Sequence, residues 1–258
     1  MKRQLFLGLL LVSSLHAFAQ PTTIRFGVEP ADKPFEWKLP DGTLTGVDID
    51  LGNAICEVLK AKCVWVENDF DSIIPALKAK KFDAILSGMA INAKRLTEID
   101  FTQRLYKPPV QLIGKADSGL LPTPESLKGK RVGVQQGTTH ETYANKYWRP
   151  AGVEVVAYKS APDVFLDLAN GRLDAALNNA ATAAENFLST PRGVGFSTLG
   201  GDVKDEVIFG VGVGIGVRKD DPQMKEALNN AIADLKRSGQ YSKITTKYFK
   251  FDISGDAR

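Results

Sequence analysis

The sequence predicts an α/β protein of two similar lobes, each a parallel-rich sheet flanked by helices, behind an N-terminal export leader. Three observations predict it: a regular alternation of strand and helix signals, an internal echo of ten residues, and an opening segment that reads as a cleaved address.

The leader comes first. Lys2 and Arg3 supply a positive start, and residues 5–15 are mostly apolar but too short to span a bilayer comfortably. Ala17-Phe18-Ala19 offers small residues at the cleavage positions, so residues 1–19 are expected to be removed. A short membrane anchor is the alternative. No Cys stands at the junction, which argues against lipid attachment. No later stretch approaches the length of a membrane span. The remaining chain, about 239 residues, is long for one core and comfortable for two lobes.

Of 33 basic residues two lie in the leader, and the other 31 nearly balance 30 acidic ones. That balance gives no reason to expect nucleic acid or an anionic membrane as partner. A hydrophobic content of 43% excludes disorder. Cys56 and Cys63 are the only cysteines. In an exported chain an even pair reads as a structural disulfide, here tying a helix end to the next strand. Two separately buried thiols are the alternative, and the spacing fits neither CxxC chemistry nor zinc. With His16 in the leader, His140 is the one remaining histidine, so no His-based metal site is expected, and no cofactor either.

Residues 23–28 alternate as a strand does, and 48–59 carry apolar residues at helical spacing. Strand 63–66, helix 72–80 and the short apolar run 82–86 follow, the last suited to a buried parallel strand. The rhythm resumes with strand 131–134, helix 141–148, strand 153–158, helix 164–169 and strand 173–177. Residues 77–86, LKAKKFDAIL, reappear 91 residues later as LANGRLDAAL at 168–177. Either a common αβ turn has converged, or two lobes share one plan. Under the second reading the expected division is lobe 1 at 20–106 and 213–258 and lobe 2 at 111–203. The crossings are then 107–110, where paired prolines impose extended backbone, and 204–212, where strand formers mix with glycines. An amphipathic helix at 222–237 closes lobe 1.

Ligands in open parallel α/β sheets bind beyond the carboxyl ends of strands. Ser87-Gly88 and Asn178-Asn179 lie there, and two such ends facing one another make a cleft. Asn92 is a good N-cap for a helix from Ala93, and Arg95 in its first turn opposes the helix dipole unless a carboxylate docks there. An ordinary surface arginine is the alternative. Thr138 and Thr139, after Gly137, suit an anionic group at a helix start or simply cap that helix. His140 reads as a helix-surface residue. Glu29 and Asp32, after the first strand, suit a cationic side chain or are solvated loop residues.

Taken together these stretches resemble the periplasmic amino-acid-binding proteins of ABC importers, solute-binding protein family 3, which includes histidine and lysine-arginine-ornithine receptors. The resemblance rests on GVDIDL at 46–51, IPALKAKKFDAI at 74–85, Lys94-Arg95, LKGKRVGV at 127–134, QGTT at 136–139, GRLDA at 171–175 and KYF at 247–249, and on the spacing of Cys56 and Cys63. It spans nearly the whole mature chain. It implies the two-lobed periplasmic-binding-protein (Venus-flytrap) fold, joined by two hinge strands that close the lobes over a ligand. It implies a periplasmic monomer delivering an amino-acid-like molecule to a membrane permease. By the same resemblance Arg95 takes the ligand α-carboxylate, helped by Thr139 and the backbone at Ala90. Ser87 and Gly88 line the first lobe's edge, Phe70 packs on the aliphatic part, and Glu29 faces a distal cation.

Three positions depart from the family's pattern. Neutral Asn179 stands where an Asp usually meets the α-ammonium, Ala90 replaces a hydroxyl residue, and Asp32 replaces an aromatic ring. The first departure implies an amine that is substituted, differently placed or absent, and opine receptors of the same family look similar there. An enzyme of this fold, a dehydratase acting on cyclohexadienyl acids, is the reading from another class. It would need a general acid from among Glu29, Asp32 and Glu141. A sensory domain would normally carry a fused membrane segment, which the chain lacks.

Overall fold

A computed structural model describes residues 22–255. The leader, Lys2 and Arg3 to the cleavage position after Ala19, lies outside the described residues. The described residues form thirteen strands and ten α-helices. The strands are β1 (Thr23–Val28), β2 (Ala31–Asp32), β3 (Glu36–Lys38), β4 (Leu44–Thr45), β5 (Lys62–Glu67), β6 (Ala84–Ile85), β7 (Asp100–Phe101), β8 (Val110–Lys115), β9 (Arg131–Gln135), β10 (Glu154–Tyr158), β11 (Ala175–Asn179), β12 (Phe196–Leu199) and β13 (Gly216–Val217). The helices are α1 (Val47–Val58), α2 (Ile73–Lys78), α3 (Ala93–Glu98), α4 (Pro124–Leu127), α5 (Thr139–Tyr143), α6 (Ala161–Ala169), α7 (Ala180–Ala183), α8 (Glu206–Phe209), α9 (Pro222–Arg237) and α10 (Gln240–Thr245).

Two five-stranded sheets share one plan. The first runs β5-β1-β6-β13-β7 and the second β10-β9-β11-β8-β12. In each, three strands are parallel, the fourth is reversed and the fifth runs with the first three. The reversed strand, β13 or β8, is in both cases the one the chain enters on arriving from the other sheet. β8 has no helix before it and β13 only the four-residue α8, so neither is announced by a regular strand–helix rhythm. The echoed LKAKKFDAIL and LANGRLDAAL segments occupy equivalent places, each ending in the third strand of its sheet. A hairpin sheet of β2, β3 and β4 flanks the first sheet.

Each sheet is covered on both faces, so its strands are apolar on both sides. Ile24, Phe26, Leu51, Ile55, Leu228 and Ile232 pack one face of the first sheet under α1 and α9, and Ile73, Leu77, Phe82 and Ile85 the other under α2. Trp148, Val132 and Val134 fill one side of the second sheet, and Phe165, Leu168 and Phe187 the opposite side. Cys56 in α1 and Cys63 in β5 form a disulfide that closes the turn between them.

The chain passes from the first sheet to the second through Lys107-Pro108-Pro109 and returns after β12. The returning segment departs from its expected extended form. Residues 206–209 are helical, because Asp205 caps them by accepting from the Ile208 N–H (2.9 Å) and Ile208 is buried. Val213 then bridges to Ala90 and Tyr106. Among the described residues no helix is long and apolar enough to cross a membrane, and no group of His, Cys, Asp and Glu is arranged to hold a metal ion.

Candidate functional site

The carboxyl ends of parallel strands from both sheets meet at one cavity. Glu29 follows β1, Ser87 and Gly88 follow β6, Gln135 ends β9, and Asn178 and Asn179 end β11. All ten residues singled out as a ligand site lie on this wall: Glu29, Asp32, Phe70, Ser87, Gly88, Ala90, Arg95, Thr138, Thr139 and Asn179.

One end of the cavity is positive. Asn92 caps α3 by accepting from the Arg95 N–H (2.9 Å), and its side-chain amide donates to the Ile208 carbonyl (2.8 Å), which ties the turn to α8. The Arg95 guanidinium then folds back into the cavity. It donates to the Ala90 carbonyl (3.0 Å) and, across the cleft, to the Gly137 carbonyl (3.2 Å), with its carbon 5.5 Å from the Phe70 ring centre. None of the described carboxylates pairs with it. Burial alone acts on this group and pulls its pKa down to about 10. Thr138 uses its hydroxyl at the start of α5, donating to the Gln135 carbonyl and accepting from the Glu141 N–H.

The other end is acidic. Both Glu29 oxygens accept from Gln135 Nε2 at 3.0 Å, yet burial lifts the carboxyl to about 7, the hydrogen bond offsetting part of the rise. Asp32, on β2, is lifted by burial to about 8, the neighbouring Thr182 hydroxyl offsetting part of the rise. Glu36, on β3, is 1% exposed. Its Oε1 accepts from the Ser87 hydroxyl (2.8 Å), which in turn accepts from the Glu29 N–H (2.9 Å), while Oε2 has no hydrogen-bond partner. Behind them Asp48 accepts from the Gly88 N–H (2.9 Å) and the Tyr106 hydroxyl (2.7 Å). Burial lifts Asp48 to about 6, and burial with the Asp48 charge pushes Glu36 well above the usual carboxylate range. None of these four carboxyls has a cationic partner among the described residues. Uncompensated charge is costly away from water, so the cavity holds a buried cation at one end and, at the other, carboxyls that burial pushes towards their protonated form.

Polar contacts draw the lobes together over the cavity. Besides Gln135 to Glu29 and Arg95 to Gly137, Lys159 pairs with Asp71 (3.0 Å) and the Asn186 amide donates to the Lys33 carbonyl (2.9 Å).

His140 requires a correction. It is buried on the cavity wall rather than lying on a helix surface, with its ring 6.0 Å from Phe209 and Nε2 without a partner. Burial lowers it to about 4, so the imidazole is neutral at physiological pH. α5 is only five residues long and is covered by α8 from the returning crossing, a contact that local periodicity does not reveal. Glu141, weighed as a general acid, instead accepts from the Gly137 N–H (2.8 Å) and belongs to the helix start. Glu36 and Gln135, which also line the cavity, were missed. The last residue of a parallel strand is a signal that could have found Gln135.

A model of the bacterial extracellular solute-binding proteins, family 3, matches residues 24–251. The histidine-binding periplasmic protein of Escherichia coli K12 is 46% identical over 98% of this chain and 99% of its own length. The lysine/arginine/ornithine-binding periplasmic protein of the same organism is 48% identical over 98% of this chain and 96% of its own. Among solved structures, a Salmonella typhimurium periplasmic binding protein described for its high arginine specificity superposes with a TM-score of 0.82 at 31% identity, covering 90% of this chain and all of that one. The relatives are thus binding proteins, and the fold, the bipolar cavity and the sequence agree: the chain belongs to family 3 of the bacterial extracellular solute-binding proteins.

Proposed function

We propose that the protein is the periplasmic substrate-binding component of an ABC amino-acid importer and that it captures a cationic amino acid or a derivative of one between its lobes. The observation that carries this reading is a pair of ionisable groups without charged partners at opposite ends of the cavity: buried Arg95 at one, and the carboxyls of Glu29, Asp32 and Glu36 at the other. A zwitterion with a second positive charge supplies both missing partners. Arg95 and Thr139 hold the carboxylate, Phe70 and Ala90 border the aliphatic chain, and Glu29, beside Ser87, takes the distal cation.

Lobe 1 (20–106 and 213–258) and lobe 2 (111–203) close about crossings 107–110 and 204–212, and the closed monomer presents the ligand to a permease. Cleavage after Ala19 delivers it to the periplasm. The protein is not an enzyme in this reading, which the binding-protein relatives support, with Glu141 held at a helix start. A second reading, an opine-type ligand with a substituted amine, is favoured by one observation, the neutral Asn179 and His140 on the lobe 2 wall. Native mass spectrometry of protein purified from periplasm without refolding tests the class. A retained basic amino acid or derivative is the expected result, and a retained acidic or uncharged ligand would overturn the reading.

A further inference from the structure

Gly88 sits on the cavity wall with φ of +56°, and a Cβ placed there would meet two atoms within 4 Å: Asp32 Oδ2 at 3.6 Å and Glu36 Oε1 at 3.9 Å. Two carboxylate oxygens from different strands therefore converge on one open point. Glu36 Oε2 is buried without a hydrogen-bond partner, and the polar group beside Asp32 is the neutral Thr182 hydroxyl of the facing lobe. The cradle is built rather than fortuitous. The Ser87 hydroxyl holds Glu36, and the Gly88 N–H is itself fixed by Asp48. Any side chain at position 88 would occupy the point, and the positive φ already favours glycine there.

We propose that Asp32 and Glu36 form a second cation subsite over Gly88, which receives the ligand's α-nitrogen and decides which amines the protein accepts. The inference rests on the reading that Arg95 anchors the α-carboxylate and Glu29 the distal cation. Along the lobe 1 wall Gly88 lies between Ser87, bonded to the Glu29 backbone, and Ala90, bonded to Arg95. That is the order in which distal cation, α-nitrogen and carboxylate are needed. The facing wall of lobe 2 offers Asn178, Asn179 and neutral His140, which supply dipoles but no countercharge. The amine is thus countered from the first lobe. A primary or secondary amine satisfies the subsite, whereas an acylated nitrogen, which carries no charge, does not.

The subsite also links binding to protons. The charged and titratable groups around it are Glu29 after β1, Asp48 of α1, Tyr106 and Lys107 at the first crossing, Arg95 of α3 and His140 of α5, with exposed Lys33 lying over the Trp37 ring. None gives Asp32 or Glu36 a cationic partner. Without ligand, burial keeps protons on these carboxyls near neutrality. A cationic nitrogen favours their ionised form and expels protons, so affinity falls as pH drops below about 8.

The test is calorimetry on the parent, Asp32→Asn and Glu29→Gln, with L-arginine, N-α-methyl-L-arginine and δ-guanidinovaleric acid, which lacks the α-nitrogen. Each titration is run in two buffers of different ionisation enthalpy. Asp32→Asn should weaken both amines on the order of tenfold or more, leave δ-guanidinovaleric acid within about twofold of the parent, and reduce the protons released. Equal losses on all three ligands, or none, overturn the subsite. Glu29→Gln reports on the underlying reading, because it should weaken all three guanidinium ligands alike. A loss there without a selective Asp32→Asn effect overturns the subsite alone. If the parent binds neither amine, both readings fall.

Discussion

Replacing Arg95 by Ala separates what this residue does for the ligand from what it costs the empty protein. Two of its N–H groups are committed to the Ala90 and Gly137 carbonyls, and no carboxylate among the described residues balances its charge. A ligand carboxylate that takes the remaining donors forms charge-assisted hydrogen bonds worth roughly 1.5–3 kcal/mol each. Losing two of them costs about 3–6 kcal/mol, or on the order of a hundred- to ten-thousandfold in affinity. The empty protein responds differently. Burial holds the guanidinium at about 10 rather than 12.5, so keeping it charged in the folded state costs about 3 kcal/mol. Arg95→Ala removes that cost while leaving two carbonyls without this donor. The ligand-free variant should therefore melt within a few degrees of the parent or above it, while the ligand-induced shift in Tm disappears. Calorimetry and thermal melts on the same samples check both halves. Binding of the parent's ligand within twofold by the variant would refute the assignment of Arg95.

Three further outcomes are expected. Cys56 and Cys63 should be unreactive to alkylation until reduced, and reduction should lower stability in urea by about 2.5 kcal/mol from the loop entropy of a seven-residue separation; two thiols alkylated without reductant would contradict the bridge. Between pH 7 and 9 the unfolded chain has Glu29 and Asp32 fully ionised, whereas the folded, ligand-free protein still binds protons on groups held at about 7 and 8. Stability should therefore fall with rising pH over this window, by roughly 2 kcal/mol in all and mostly from Asp32, and a cationic ligand should flatten the fall; scanning fluorimetry that shows a level or rising Tm without ligand rules this out. Gly137 has φ of +77°, and an added Cβ would stand 2.8 Å from the Asp71 Cα across the cleft. Gly137→Ala should cost on the order of 1 kcal/mol in strain and weaken ligand binding about tenfold or more by holding the lobes apart; parent-like affinity would mean that closure does not need this approach.

Much of the architecture was legible because its parallel strands and covering helices carry strong periodic signals. Helix 222–237 and strand 23–28 appear with the expected bounds, and the echo at 77–86 and 168–177 marks equivalent turns of two sheets built alike. The reversed strands β8 and β13 were not read, since what makes them strands is pairing with β11 and β6, distant in sequence. The expected extended crossing at 206–209 is a helix because a cap at Asp205 outweighs the strand preference of Val and Ile. At the site, the ten named residues share one cavity because strand ends and family motifs point to the same wall. Glu36 escaped notice because a glutamate in Glu36-Trp37-Lys38 looks solvated. Only the fold brings the Ser87 hydroxyl and the Asp48 carboxyl around it. His140 escaped because its cover comes from a segment some 70 residues later.

The central claim is that the cavity binds a ligand with a carboxylate at Arg95 and a cationic tail at the acidic end. The most direct measurement is calorimetric titration of the unliganded parent with two near-isosteric ligands that differ only in distal charge, L-arginine and L-citrulline. Removing the charge leaves Glu29 in the closed cavity without its cation, which costs on the order of 3 kcal/mol or more, so arginine should bind at least about a hundredfold more tightly. Equal affinities, or tighter binding of citrulline, would contradict the account.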